Sequence, residues 1–155
     1  MTLTESVKTC FRKYFAFSGR ASRSEFWWFA LFLSIISTGI QSYVSSDSQN
    51  LSFKFGLHFN IGTHAHLLEN LFTAATFVPF IAALTRRLHD TGTSGWRALI
   101  YLAILATAVG SLWVLPWQIS FTFIVFLLAF GVYSLCKKSR SGPNQYGPNP
   151  HEVTP

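Results

Sequence analysis

The chain has 155 residues, of which half are hydrophobic, 17% are aromatic and only 12% are charged. An average soluble domain has roughly 25% charged residues, because polar side chains must cover its surface. The composition therefore excludes a disordered or fibrous chain, argues against an ordinary cytosolic enzyme, and favours a single membrane domain over residues 1–155. The formal net charge is +6.

The N-terminal segment predicts an amphipathic helix over about residues 5–17, lying along the membrane surface. Its basic residues Lys8, Arg12 and Lys13 lie opposite apolar or weakly polar residues at helical spacing, namely Val7, Cys10, Phe11, Tyr14 and Phe15. Five basic residues precede the first apolar segment, so no cleaved signal peptide is expected.

Four apolar segments predict transmembrane helices over residues 26–44, 67–85, 98–115 and 119–136. At about 1.5 Å per residue, each crosses most of a hydrocarbon core of about 30 Å. Ser22 and Glu25 have the spacing of a capping box, which predicts that the first span begins near Arg23. Glu69 weakens the second span, and Pro79 predicts a kink in it.

The basic residues alternate between the two ends of these spans. Five precede the first span, one lies between the first and second, three between the second and third, none between the third and fourth, and three follow the fourth. By the positive-inside rule both termini are cytoplasmic, with an outer loop at 45–66 and a cytoplasmic tail at 137–155. The positive charge thus indicates orientation and attraction to anionic lipid rather than nucleic acid.

The outer loop alternates apolar and polar residues from Leu51 to Gly62, which predicts a short β-like hairpin on the bilayer surface or a strand that pairs with a partner. His58, His64 and His66 are weak candidates for a metal site, because solvated loop histidines without a tight motif explain them more simply. Cys10 and Cys136 have no metal-ligand spacing and are expected to be free thiols. No cofactor is expected.

Three unusual strings fall on the cytoplasmic side of this topology. They are GRASRSEFWW at residues 19–28, RRLHDTGTSGW at 86–96 and GPNQYGPNP at 142–150. Since they share one side and one depth, we expect them to form a cytoplasmic collar. Trp27, Trp28 and Trp96 are typical of anchors at headgroup level.

Together the strings resemble those of the domain-of-unknown-function family 805, the YhaH-like small bacterial inner-membrane proteins, from about Phe15 to Pro150. The RRLHDxGxSGW string is the most specific part, and the outer loop is not covered by the resemblance. The resemblance implies four spans in the bacterial inner (plasma) membrane and no established activity. It also favours docking of the tail on the collar, where composition alone predicts disorder.

Arg86 and Arg87, with the glycine-rich loop that follows, suit an anionic phosphate, of which a phospholipid headgroup is the nearest candidate. The candidate lipid or anion site comprises Arg20, Arg23, Arg86, Arg87, Gly92, Ser94, Gly95 and Trp96. The alternative is that both arginines only set the orientation, with Asp90 forming an ordinary salt bridge.

The other predicted collar residues have a structural role: Glu25, His89, Asp90, Asn144, Tyr146 and Asn149. Glu25 is expected to complete its own capping box and to pair with Arg86 or Arg87 across the first two spans. A catalytic dyad of His89 and Asp90 is the weaker alternative, since adjacent side chains seldom face one another and no nucleophile accompanies them.

The residues therefore favour binding over chemistry, and we expect no catalytic residue. The predicted function is a lipid-contacting scaffold, adaptor or regulator, with phospholipid as its partner and with a membrane-protein partner or a second copy also possible. The alternatives are a small transporter or oligomeric pore, for which the spans offer only scattered hydroxyls, and an enzyme acting on lipid headgroups.

Overall fold

A computed structural model of the chain describes residues 1–45, 67–110 and 116–150. Five helices occur in them: α1 (Leu3–Arg12), α2 (Arg23–Ser45), α3 (Leu67–Asp90), α4 (Trp96–Gly110) and α5 (Trp117–Cys136). These residues contain no β-strand, only an isolated bridge between Asn144 and Gly147. The all-α class is confirmed for this part of the chain. The predicted outer hairpin, with His58, His64 and His66, lies outside the described residues.

The ends of the helices follow local chemistry in most places. The first long helix begins at Arg23, as the position of Ser22 predicts. α5 begins at Trp117, directly after Pro116, so Trp117 and Gln118 belong to the helix, which the sequence predicts to begin at residue 119. Proline suits this position because its φ is already close to the helical value. The predicted end of α4, at residue 115, lies outside the described residues.

Two helices differ more from expectation. α1 ends at Arg12 rather than near residue 17, since Lys13 already leaves the helical conformation. α3 continues to Asp90, well past the predicted end at residue 85. The four residues after Arg86 thus belong to the helix. Two of them, Arg87 and Asp90, are charged residues of the candidate site.

The chain divides into two compact units. Unit 1 comprises Met1–Ala16 and Ser24–Ala83, and unit 2 comprises Phe17–Arg23 and Leu84–Pro155. In unit 1, α1 packs on the first turns of α2: Phe11 meets the edge of Phe29 with ring centroids 5.7 Å apart, and Cys10 is fully buried. The expected Glu25–arginine pair joins residues of different units and stays a prediction.

In unit 2, α4 and α5 form the main helix–helix contact. The Tyr101 and Ser134 hydroxyls lie 3.2 Å apart, and Tyr101 also meets the edge of Phe130. The outer face of α5 is apolar and open, with Phe121, Phe126 and many similar side chains about half exposed or more. An apolar surface of this extent is typical of a face that contacts lipid or protein.

Two of the described helices, Leu67–Asp90 and Gln118–Cys136, are long and apolar enough to cross a bilayer, judged by length and composition alone. The described residues contain no group of three or more His, Cys, Asp or Glu side chains placed to hold a metal ion. The Cys10 thiol is buried and the Cys136 thiol is exposed, and neither is part of a disulfide.

Candidate functional site

The candidate site lies in unit 2, at the C-terminal end of α3. Asp90, the last residue of that helix, is completely buried. Its carboxylate accepts hydrogen bonds from three side chains, those of Arg20, Arg87 and Ser139. We call these four residues the Asp90 cluster.

Arg20 enters the cluster from the short segment before α2. Its Nε donates to Asp90 Oδ1 at 2.9 Å, and its side chain is only 1% exposed. The remaining guanidinium nitrogens donate to the main chain of the tail: Nη1 to the Gly142 carbonyl at 2.8 Å and Nη2 to the Arg140 carbonyl at 2.6 Å. One guanidinium thus holds both the end of α3 and the segment after α5.

Arg87, one turn before Asp90 on α3, also binds both Asp90 and main-chain carbonyls. Its Nη1 donates to Asp90 Oδ2, its Nε to the Leu135 carbonyl at 2.9 Å and its Nη2 to the Lys137 carbonyl. These carbonyls belong to the last turn and first following residue of α5. As the end of a helix leaves its carbonyls without intrahelical partners, Arg87 satisfies the end of α5 with a charged donor.

The electrostatics of the cluster are those of two buried cations around one buried anion. A buried charge is costly unless it is paired and hydrogen-bonded, and here backbone carbonyls supply the remaining partial negative charge. An aspartate at a helix C-terminus is unfavourable by itself, but an arginine there is favourable. The pairing therefore makes a stable end to α3 out of residues that could not be buried singly.

His89 faces a different set of partners. Its ring is stacked on that of Tyr146, with centroids 3.7 Å apart and planes within 1° of parallel. Its Nδ1 lies 3.3 Å from the Gly19 carbonyl, a distance that suits donation by an Nδ1–H tautomer. His89 and Asp90 are therefore held by separate groups, and their contacts do not form an oriented acid–base pair.

The tail contacts α3 through a tight turn. Asn144 and Gly147 exchange backbone hydrogen bonds of 3.1 and 2.9 Å. The Asn144 side chain donates from Nδ2 to the His89 carbonyl at 3.0 Å and accepts from the Tyr146 amide at 2.8 Å. Asn149 is buried, and its Nδ2 lies 3.4 Å from the Arg140 carbonyl. Residues 140–149 thus dock on Arg20 and on the end of α3 within unit 2.

The loop after α3 is shaped by two glycines. Gly92 has φ +75° and its amide donates to the His89 carbonyl, which is the usual left-handed end of a helix. A Cβ on Gly92 would lie 3.0 Å from Arg140 Nη1. A Cβ on Gly95 would lie 2.6 Å from Thr85 Cγ2 and 2.9 Å from His89 Nε2. The loop is glycine-rich because neighbouring side chains pack directly against its backbone.

Arg86, like Arg20 and Arg87, is buried, and its carbonyl accepts from the Ala21 amide at 3.1 Å. Ser94 is exposed, and its Oγ lies 3.4 Å from the Trp96 amide. Trp96 is 71% exposed. The predicted lipid site is thus divided between buried and exposed residues.

The exposed basic side chains of unit 2 form a second group. It comprises Arg23, Arg97, Lys137, Lys138 and Arg140. Arg97 lies beside Trp96 at the start of α4, and the Lys137 ammonium lies 5.1 Å from the centre of the Tyr133 ring at the end of α5. Lysine and arginine at helix ends typically hold an apolar stem along the membrane and a charge at headgroup level.

Sequence reasoning missed Ser139 and the role of the carbonyls at the end of α5. The chain has only six acidic residues against twelve lysines and arginines, which favours Asp90 as a counterion for the neighbouring arginines but does not indicate Ser139 or the carbonyls. It also missed a cap at the start of α1, where Thr2 and Glu5 form a capping box. The Thr2 amide donates to the Glu5 carboxylate and lowers its pKa, and the Thr2 hydroxyl accepts from the Glu5 amide.

Comparison with known proteins identifies the family. The family model for "Protein of unknown function (DUF805)" matches residues 14–148. Inner membrane protein YhaI of Escherichia coli K12 is 30% identical over 140 residues, covering 90% of this chain and 89% of that protein. Inner membrane protein YhaH of the same strain is 27% identical, covering 90% of each. No solved structure matches. The chain therefore belongs to the DUF805 family and is a membrane protein, like its inner-membrane relatives.

Proposed function

We propose that this protein is a four-span, non-enzymatic scaffold of the bacterial inner membrane, with both termini cytoplasmic. In this proposal unit 2 contributes a cytoplasmic collar, which is held together by the Asp90 cluster and contacts anionic phospholipid through its exposed basic side chains. Adaptor or regulator roles are variants of the same binding function, since each needs a rigid surface at headgroup level.

The four-span topology is supported by the pattern of charge and exposure. Basic residues cluster before the first span, between the second and third, and after the fourth. α5 carries no charged residue and exposes large apolar side chains such as Phe123 and Phe130 along its length. In water such a surface is a liability, but against lipid it is the expected one.

The observation that carries the lipid proposal is the division of arginines and lysines into two groups. The guanidinium groups of Arg20 and Arg87 donate hydrogen bonds to Asp90 and to main-chain carbonyls. A phosphate would have to displace these partners in order to bind them. Arg97, Lys137 and Lys138 are exposed at the ends of α4 and α5, beside Trp96 and Tyr133. We therefore assign headgroup contact to the exposed group and structural support to the buried one.

Native mass spectrometry of the gently extracted full chain tests this assignment. Replacing Arg97, Lys137 and Lys138 with glutamine removes three charges, each contributing about 1 kcal/mol of attraction to an anionic surface. We expect retained phosphatidylglycerol or cardiolipin to fall at least tenfold, with an unchanged unfolding temperature. The matched control exchanges lysine and arginine at the same three positions, which keeps the charge and should keep the lipid. Equal lipid retention in the glutamine variant would refute the assignment.

The native thiol at the end of α5 tests the orientation. Cys136 is exposed, whereas Cys10 is buried. A membrane-impermeant maleimide should label Cys136 in inverted membrane vesicles and leave it unlabelled in spheroplasts. A Ser94→Cys variant in a Cys136→Ser background should give the same result, because the proposal places both on the cytoplasmic side. Labelling of the two sites from opposite sides would remove the shared collar.

A further inference from the structure

Pro79 leaves one carbonyl of α3 without its usual partner. The proline lies inside the continuous helix Leu67–Asp90. In an α-helix the amide of residue 79 would donate to the carbonyl of Ala75, but proline has no amide hydrogen, and its ring crowds that carbonyl. The gap lies within a helix that is long and apolar enough to cross a bilayer.

The Tyr14 hydroxyl fills this gap. It donates to the Ala75 carbonyl at 2.7 Å, although the two residues are 61 positions apart in the chain. The neighbouring Thr76 hydroxyl donates instead to Phe72, at 2.7 Å. Ala75 itself is exposed in the protein alone, so in a membrane no water would be available to its carbonyl. The donor that replaces the missing amide therefore comes from outside α3.

Tyr14 follows directly after α1 and its C-cap, and α1 is packed on the start of α2. Cys10 is fully buried and its Sγ lies 4.0 Å from Glu25 Oε1, while Phe11 meets the edge of Phe29. Both contacts lie in unit 1, as does the Tyr14–Ala75 hydrogen bond. Undocking of α1 would thus withdraw the Tyr14 hydroxyl from the Ala75 carbonyl.

We propose that the Tyr14–Ala75 hydrogen bond is a lock, by which we mean that it holds the backbone of α3 in its present conformation at Pro79 only while α1 is docked. Docking of the N-terminal helix and the backbone conformation of α3 at this position are therefore linked. When α1 is docked, the Ala75 carbonyl is satisfied by Tyr14. When α1 is released, the carbonyl must find another donor, which requires the helix to change shape around residues 75–79. Linkage of this kind is reciprocal, so a change at Pro79 also alters the docking of α1.

A double-mutant cycle on the full chain in detergent micelles tests the lock. The readout is the rate at which N-ethylmaleimide labels Cys10 in a Cys136→Ser background, since labelling requires α1 to open. Tyr14→Phe removes only the hydroxyl, and we expect labelling about fivefold faster, which corresponds to about 1 kcal/mol for one hydrogen bond. Pro79→Ala supplies the missing amide within α3, so it should also loosen α1 about fivefold.

The combined variant decides the proposal. If the hydroxyl and the missing amide serve the same carbonyl, Tyr14→Phe with Pro79→Ala should label no faster than either single variant. A product of the two single effects, about 25-fold, would show that they are independent and would overturn the lock. So would an unchanged rate in Tyr14→Phe.

Two further variants keep the test decisive. Tyr133→Phe also removes only a tyrosine hydroxyl and keeps the ring on which Lys137 lies, so it should not alter Cys10 labelling. Should Pro79→Ala fail to fold, Pro79→Leu supplies the same amide. Neither lipid retention nor the labelling side of Cys136 bears on this cycle, so the lock and the scaffold function can fail separately.

Discussion

Two regions of unit 2 treat charged and apolar side chains in opposite ways: the end of α3 buries charges, whereas α5 exposes apolar side chains. Every residue of Leu84–Asp90 at the end of α3 is buried, and four of these residues are ionisable. In α5, no residue is charged and most of those described are exposed. Hydropathy would predict the reverse in water. The comparison teaches that burial here follows the availability of partners: the charges lie among carbonyls and counterions, and the apolar side chains lie where lipid can cover them.

The largest expected effect comes from removing the one acid that the two buried arginines share. Asp90→Asn keeps the shape of the side chain but leaves Arg20 and Arg87 without their counterion. Breaking a buried ion pair from one side costs about 3–5 kcal/mol, so we expect the unfolding midpoint in detergent to fall sharply. Arg97→Gln, which removes an exposed charge in the same unit, is the control. Equal stability of the two variants would mean that the Asp90 cluster does not support the fold.

The sequence predicts most of the helical framework because apolar runs and turn residues are local signals. The end of α5 at Cys136 lies at the edge of a charge-free run. Serine likewise indicates the start of α2, whereas α5 begins two residues before its predicted start at residue 119. What local signals cannot show is whether a charge beyond such a run is solvated or buried, and α3 therefore extends past its predicted end.

The sequence singles out several residues of the candidate site, but not Ser139 and not the hydrogen bonds that connect them. Gly19, Arg20, His89, Asp90 and Tyr146 come from the three strings that the sequence singles out, and they contact one another in unit 2. The partners of the arginines are mainly backbone carbonyls at residues 135–147, which any amino acid could supply. No residue type indicates such a contact, so a site built from carbonyls escapes sequence reasoning.

A charge placed on the exposed face of α5 tests whether the apolar side chains of that face contact lipid. Phe126 is 67% exposed near the middle of the helix, so in water lysine there would cost little. At the centre of a spanning helix a lysine costs about 2.5–3.5 kcal/mol, so Phe126→Lys should reduce the fraction of protein that resists alkaline extraction from membranes. Gln118→Lys, near the end of the helix, should reduce it much less. Similar behaviour of the two variants would argue against α5 as a span.

Adding a methyl group separates the close-packed loop from the open helix. Gly95→Ala brings a Cβ to 2.6 Å from Thr85 Cγ2, and overpacking of this kind costs about 1–3 kcal/mol. Gly131→Ala on α5 meets nothing within 4 Å and should not destabilise the protein. Unfolding midpoints in detergent measure both.

A second substitution identifies the cause. Thr85→Ser removes the methyl group that the new Cβ would meet, so Gly95→Ala with Thr85→Ser should recover part of the lost stability. The 2.9 Å approach to His89 Nε2 remains, and recovery should therefore be incomplete. A double variant no more stable than Gly95→Ala alone would show that the contact with Thr85 is not the source of the loss.

The smallest expected effect is at the start of α1. There the backbone amides at the helix end are capped by residues next to them in the chain, and not by distant segments as at the end of α3. The Thr2 amide donates to Glu5 at 2.8 Å and lowers the pKa of this exposed carboxyl. A carboxyl whose pKa is lower in the folded state stabilises that state above its ordinary pKa, and this contribution is lost as the pH falls through the lowered value. The protection factor of the Ser6 amide, its intrinsic exchange rate divided by its observed rate, should therefore fall in acid, whereas in Glu5→Gln it should not depend on pH. Because the cap acts only on the first turn of α1, we expect the protection factors of Arg87 and Asp90 to stay unchanged over the same range, and a parallel change there would mean that the two helix ends are not independent.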